Sequence, residues 1–371
     1  MPVAADTSLA QLLDTLVREG ELVQQEQDGR LRCVACGHRC LIGEGKRGIC
    51  KVRFNDGGRL MVPYGYVGAL QCDPIEKKPF FHVLPGTDAL TFGMLGCDLH
   101  CAYCQNWVTS QALRDPEAVA PAAKATPERL VDLAQQRDAG LVASSYNEPL
   151  ITAEWAIDVF KEARRAGFRT GFVSNGNATP EVLDYIRPWT DCYKVDLKSM
   201  SDRNYRQLGG KLDNILQTIE RLVDMRFWVE IVTLTVPGFN DSEAELRDTA
   251  RFLACLSPDI PWHVTAYHQD YRMQDHDNTS VRDLLRACEI GREEGLRYVY
   301  AGNIPGHVGD WENTYCPGCG VILIQRHGFL VLANRLVNGA CPDCSTPIPG
   351  IWTRGSQRGS GEVAQQRAVR A

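Results

Sequence analysis

Between residues 88 and 305 the chain alternates short apolar runs with amphipathic ones at a steady beat. An apolar run of a few residues bounded by turn formers suits a buried strand. Apolar positions three and four apart suit a helix packed by one face. "ALTFGML", "LVASSY", "RTGFVSN", "CYKVDL", "FWVEIVTLTV", "WHVTAY" and "RYVYAG" are predicted strands. "TPERLVDLAQQRDAG", "TAEWAIDVFKEARRAG", "TPEVLDYIRPW", "DNILQTIERLVDM", "DSEAELRDTARFL" and "SVRDLLRACEIGREEG" are predicted helices between them. Ile215, Ile219 and Leu222 share one stripe; Thr152 is a candidate N-cap, Gly167 a C′ residue, and Ser242 with Glu245 a capping box. Another capping box, Ser8 with Gln11, opens an expected helix over residues 8–18.

Strands alternating with helices predict an α/β fold with parallel strands. The spacing suits a partial or full (β/α) barrel better than a doubly wound sheet, and no dinucleotide-type glycine turn follows the first strand. The expected organisation is an N-terminal helix and four-cysteine segment (1–60), a connecting or lid segment containing "DPIEKKPF" (61–87), the barrel (88–305), a cysteine-rich module (306–352) and a polar, disordered tail (353–371).

Net charge of −6 with no long basic run argues against nucleic acid. No apolar run approaches a membrane span, the N-terminus lacks a secretory pattern, and a cytoplasmic location is expected. The 15 cysteines change the picture most. In a reducing compartment, clustered cysteines indicate metal rather than disulfides. Eleven fall into the sets 33/36/40/50, 97/101/104 and 316/319/341/344. Of the remaining Cys72, Cys192, Cys255 and Cys288, the last two lie on predicted helices and read as small core residues.

"GCDLHCAYCQNW" offers three cysteines, Cys97, Cys101 and Cys104, directly after the first strand. Three thiolates leave one iron of a [4Fe–4S] cube without a protein ligand, a position for chemistry. A zinc knuckle completed by a distant residue such as His100 is the plainer reading.

The C-x3-C-x2-C spacing, with Tyr103 before the last cysteine, resembles the cluster motif of radical S-adenosylmethionine (SAM) enzymes. "SYNEP" (145–149), "VSNGN" (173–177) and "VDLK" (195–198) resemble that family's SAM-facing elements, the last one the D-x-K element of pyruvate formate-lyase activating enzymes. "CVACGHRC", "GKRGICKVR" and "DPIEKKPFFHVLPG" resemble the AmmeMemoRadiSam-system members, named for their AMMECR- and Memo-type genomic company. The resemblance implies a [4Fe–4S] cluster on Cys97, Cys101 and Cys104 and SAM contacts from Tyr103, Asn147, Glu148, Ser174, Asn175, Asp196, Lys198 and His268. It also implies reductive SAM cleavage to a 5′-deoxyadenosyl radical, and a reductant such as flavodoxin or ferredoxin. Plainer roles stand beside these: Glu148 as a helix cap, Asp196 and Lys198 as a structural ion pair, His268 as a rim histidine, and Lys77 with Lys78 as solvated charges.

Cys316, Cys319, Cys341 and Cys344 form two C-x2-C knuckles, a zinc ribbon or a rubredoxin-like iron site. Cys33, Cys36, Cys40 and Cys50 suit zinc or an auxiliary iron–sulfur cluster, with His38 an alternative ligand. Four functions follow: a radical enzyme, a glycyl-radical-enzyme activase, an iron–sulfur electron-transfer or scaffold protein, and, least compatible with the charge, a zinc-ribbon nucleic-acid binder.

Overall fold

Seven parallel strands pair in the order in which they occur along the chain in the computed structural model, which describes residues 8–355. They are β1 (Asp88–Gly93), β2 (Leu141–Ser144), β3 (Arg169–Ser174), β4 (Cys192–Asp196), β5 (Trp228–Thr235), β6 (Trp262–Ala266) and β7 (Val299–Gly302). A sequential order has no point at which the winding reverses, which separates it from doubly wound sheets. The antiparallel strand Ala69–Pro74 extends the sheet beyond β1, with Ala69 opposite Gly93 and Pro74 opposite Asp88. Among the described residues this strand does not pair with β7, yet Gln71 and Ala301–Asn303 line one cavity. The sheet therefore curls until its edges face each other across an open seam: a partial barrel.

The crossovers are α1 (Pro127–Gln136), α2 (Ala153–Arg165), α3 (Pro180–Ile186), the pair α4 (Asp202–Leu208) and α5 (Leu212–Asp224), α6 (Glu243–Leu256) and α7 (Val281–Glu293). Ile215, Ile219 and Leu222 bury the expected stripe of α5. α4 was not anticipated: "DRNYRQL" has too few apolar residues for a period, but Ser201 caps its start and Gly209, at φ +86°, ends it. Thr152 stands at the N-cap of α2, but its hydroxyl donates to Pro149 O at 3.2 Å instead of capping. Ser242 caps α6 through Glu245 N, while the Glu245 carboxylate turns away to Ser199 Oγ and Met200 N, so half of the expected box forms.

The N-terminal capping box is present, but its helix ends at Asp14, because Val17–Glu19 pairs with Arg59–Pro63. Leu13, Leu31, Leu60 and Val62 share one apolar core with Trp155 and Phe160 of α2, so the cysteine segment is fused to the barrel. The segment expected only to connect, 61–87, supplies a strand of the main sheet. The C-terminal module is a small sheet of Thr314–Tyr315, Ile322–His327 and Leu330–Asn334, packed against Tyr298 and Tyr300. Of the expected tail, Thr353 and Arg354 are docked: Thr353 O accepts from Arg169 Nε at 3.2 Å and Arg354 pairs with Asp138 at 2.6 Å. Residues 356–371, on which the disorder expectation falls, lie outside the described residues. Cys288 is buried as expected, whereas Cys255 is exposed on the outer face of α6.

Residues 75–84 close the barrel at the N-terminal ends of the strands. Glu230 of β5, wholly buried, accepts Phe81 N and His82 N at 2.9 Å each, Trp228 Nε1 at 3.0 Å and His263 Nε2 at 2.7 Å. With that floor sealed, access is left to the strand C-termini and the seam.

Candidate active site

Cys97, Cys101 and Cys104 sit on the loop that follows β1 and all line one cavity of about 400 Å³. Gly93, at the end of β1, has to be glycine: a Cβ there would stand 2.3 Å from Ser145 O and 2.8 Å from Tyr146 Cβ. That close approach packs the "SYNEP" turn against the cysteine loop. Tyr103, almost fully buried, packs edge-on to Phe239 with ring centroids 5.7 Å apart. Burial, and then the neighbouring Asp98 carboxylate, push the Cys97 thiol well up; burial pushes Cys101 up to about 12. Coordination to a metal is what ionises thiols in such buried surroundings.

Glu148 follows β2. Its carboxylate accepts Ser174 Oγ at 2.7 Å, Asn175 N at 2.8 Å and Leu150 N at 3.1 Å. The last bond is the capping role; the first two tie Glu148 to the end of β3. Burial, then Asp98, hold its carboxyl up to about 8. Asn147 Oδ1 accepts Met94 N at 3.0 Å, joining the loops after β1 and β2. At the end of β4, Asp196 binds Lys194 closely and Lys198 at 3.6 Å. Burial opposes its ionisation, yet Lys194 and Lys198 keep Asp196 below the usual carboxylate range. Tyr103, Asn147, Glu148, Ser174, Asn175, Asp196 and Lys198 all line the cavity with the three cysteines. His268 does not: it stands exposed on the rim, its Nε2 3.0 Å from Gln105 Nε2.

Sequence reasoning missed two residues. Lys194, buried on β4, reads as strand filler. Asp98 is fully buried, and its two oxygens accept Asn175 Nδ2 and Asn177 Nδ2 at 2.7 Å each. Asn177 in turn accepts Gly37 N at its backbone oxygen, 2.8 Å, and His38 Nε2 lies 3.1 Å from Asp98 O. The N-terminal cysteine segment thus docks on the turn beside Cys97. One signal was available, the unusual acid within "CDLHC".

Every cysteine is free of disulfides. Among the described residues, Cys316, Cys319, Cys341 and Cys344 are the one group of metal-ligating type whose ligand atoms all lie within 4.8 Å of one another. Cys316 and Cys344 Sγ are 3.5 Å apart, and Cys319 and Cys341 Sγ 3.7 Å. A tetrahedral ion with Zn–S bonds of about 2.3 Å requires edges of about 3.8 Å, so this quartet fits a single ion. The three loop thiols line their cavity with no fourth cysteine beside them, the donor count that leaves one iron of a cube open.

Residues 92–253 match the radical SAM superfamily. An uncharacterized protein of Methanocaldococcus jannaschii is 36% identical over 315 residues, 84% of this chain and 92% of that protein. Residues 92–253 of the chain are a radical SAM superfamily domain. The pyruvate formate-lyase-activating enzyme of Clostridium pasteurianum is 24% identical over 212 residues, 52% of this chain and 84% of that enzyme. A solved domain of such an activating enzyme from Bacteroides vulgatus is 24% identical and covers 44% of this chain and 100% of its own, with a TM-score of 0.40. Family membership implies a [4Fe–4S] cluster and SAM, and this radical SAM cavity holds donors suited to both. No helix among the described residues is long and apolar enough to cross a membrane.

Proposed function

We propose that this chain is a radical SAM enzyme that cleaves SAM reductively and abstracts hydrogen from a small or partner-held substrate. The carrying observation is the convergence of three thiols, Glu148, Asn175 and Lys198 on one cavity, with no fourth cysteine among its walls. When bound, the cluster supplies the electron that splits SAM into methionine and a 5′-deoxyadenosyl radical. The chain's own residues position. Glu148 would receive an ammonium, Lys198 would neutralise a carboxylate, Asn175 would meet polar groups of the ligand, and buried Tyr103 screens the loop from water. The Glu230 floor keeps solvent from entering below.

For the flanking sites, the thiol spacing supports zinc or a rubredoxin-like iron in the C-terminal quartet. The N-terminal thiols suit zinc or an auxiliary iron–sulfur cluster. A flavodoxin- or ferredoxin-type reductant and AMMECR- or Memo-type partners complete the reading. A second reading, activation of a glycyl-radical enzyme, is favoured by the similarity to pyruvate formate-lyase-activating enzymes.

Anaerobic reconstitution followed by dithionite and SAM is the test. 5′-Deoxyadenosine and methionine are expected, and Cys101→Ala should abolish both. Intact SAM over a fully loaded cluster would replace this reading with that of an electron-transfer or scaffold protein.

A further inference from the structure

The cavity runs from the cysteine loop towards the seam, and its far wall is built by "DPIEKKPF", a segment to which the proposed SAM contacts assign nothing. Ile75 and Phe80 are fully buried in an apolar cluster, and buried Glu76 pairs with buried Arg326. These anchors fix the turn Ile75–Lys77 on both sides and leave Lys77 and Lys78 facing the cavity. Lys78 is 5% exposed; its Nζ binds Asp73 and donates to Tyr146 Oη at 3.2 Å. Lys77 Nζ reaches the other oxygen of Asp73 at 2.9 Å. Tyr146 is itself held in the left-handed region, φ +68°, with its backbone oxygen accepting Thr109 Oγ1 at 2.7 Å. A non-glycine residue keeps that conformation only where its surroundings dictate it.

One carboxylate therefore serves two ammonium groups, and one of those is almost completely withdrawn from water. Removing a lysine from solvent is costly unless its charge is fully matched. Here it is matched by half a carboxylate and a phenol, and burial lowers its proton affinity accordingly. The opposite wall repeats the arithmetic, with Asp196 shared between Lys194 and Lys198. Glu76, the one acid on the seam side of the lining, is neutralised by Arg326. The seam end of the cavity thus carries an uncompensated positive charge beside a hydroxyl, with the amides of Gln71 and Asn303 at the mouth.

We propose that Lys78, with Lys77 and the Tyr146 hydroxyl, is the recognition site for an oxyanion, carboxylate or phosphate, carried by the substrate. This deepens the proposed function and rests on it for the word substrate; the oxyanion site itself rests on the geometry of the seam. An anion seated there completes the charge on Lys78 and places the rest of its molecule between the seam and the cysteine loop.

The test is calorimetric titration of the full-length, cluster-reconstituted protein at constant ionic strength with inorganic phosphate and, separately, with acetate. At least one should bind, and which one identifies the oxyanion class. A charge-assisted hydrogen bond is worth enough that Lys78→Gln should weaken binding roughly tenfold or more. Lys78→Arg should hold it within about threefold, since the charge remains. Tyr146→Phe, which removes one hydroxyl and leaves the ring packed, should weaken binding by a smaller factor and guards against misfolding of the lysine variant. No binding of either anion, or equal binding by wild type and Lys78→Gln, overturns the inference. The two readings fail separately: lost SAM cleavage with intact Lys78-dependent binding sinks the enzyme, and the converse sinks the oxyanion site.

Discussion

Arg53 and Glu154 form a bidentate ion pair, 2.7 and 2.8 Å, with both side chains withdrawn from solvent. Arg53 also donates to Ile151 O at 3.0 Å, and Leu22 N reaches Glu154 at 3.4 Å. This joint welds the N-terminal cysteine segment to α2. Removing one partner leaves a buried charge unmatched, which costs about 3–5 kcal/mol. Glu154→Ala should lose stability of that order in urea titrations. Arg53→Met combined with Glu154→Leu should recover much of it. A single variant within 1 kcal/mol of wild type would mean that the joint bears no weight.

His82 makes stability depend on pH. Its Nδ1 faces Pro349 O and its Nε2 faces Tyr300 Oη, each at 2.7 Å. A carbonyl can only accept, so Nδ1 carries the proton and the neutral ring accepts from tyrosine. Burial is the chief reason that its proton affinity falls from 6.5 to about 4; Glu230 and the Pro349 carbonyl raise it, while Arg326 and His263 lower it. The unfolded chain therefore takes up a proton at higher pH than the folded one. Stability contributed by His82 is complete above pH 6.5 and drains away as pH falls towards 4, by about 3 kcal/mol at 1.4 kcal/mol per tenfold. Melting curves between pH 4 and 7 should fall steeply for wild type and less steeply for His82→Gln. Parallel slopes would remove His82 from the account.

Asp98 should prove the hinge of the cysteine loop. It accepts from two amide groups, and Asp98→Asn would turn an NH2 towards one of them. An unsatisfied buried donor costs about 1–3 kcal/mol. Because Asn175 is held by Asp98 on one side and Glu148 on the other, SAM affinity by equilibrium dialysis should fall while iron content holds. Unchanged affinity would reduce Asp98 to a structural acid.

The alternating pattern of residues 88–305 made the parallel strands and most of their helices legible, because buried strands and one-faced helices need different periods. The loop cysteines were legible because three thiols in eight residues have few other uses. What sequence could not show is pairwise and long-range. Ala69–Pro74 completes the sheet through partners that run from Gly93, opposite Ala69, to Asp88, opposite Pro74, and its alternation is too weak to announce a strand. Glu148 proved to be both helix cap and cavity wall, a coexistence that no single-residue reading separates. Cys255 and Cys288 read alike on amphipathic helices, yet only Cys288 turns inward.

The C-terminal quartet yields the last prediction. Its four sulfurs stand at the spacing of one tetrahedral ion, and Cys316 and Cys341 pack against Tyr298 of the barrel together with Leu323 and Ile348. Binding of a structural ion to four thiolates is folding energy for so small a sheet. Cys316→Ser with Cys319→Ser should therefore release zinc and no iron by elemental analysis. Far-UV circular dichroism should change little, because the parallel strands and their helices lie elsewhere. Near-UV signals should weaken, since Tyr298, Tyr300 and Trp352 border the module. The module also lends Phe329 to the cavity mouth, so oxyanion binding should loosen along with it. Iron leaving in place of zinc would make the quartet a rubredoxin-like centre and give the seam a redox neighbour.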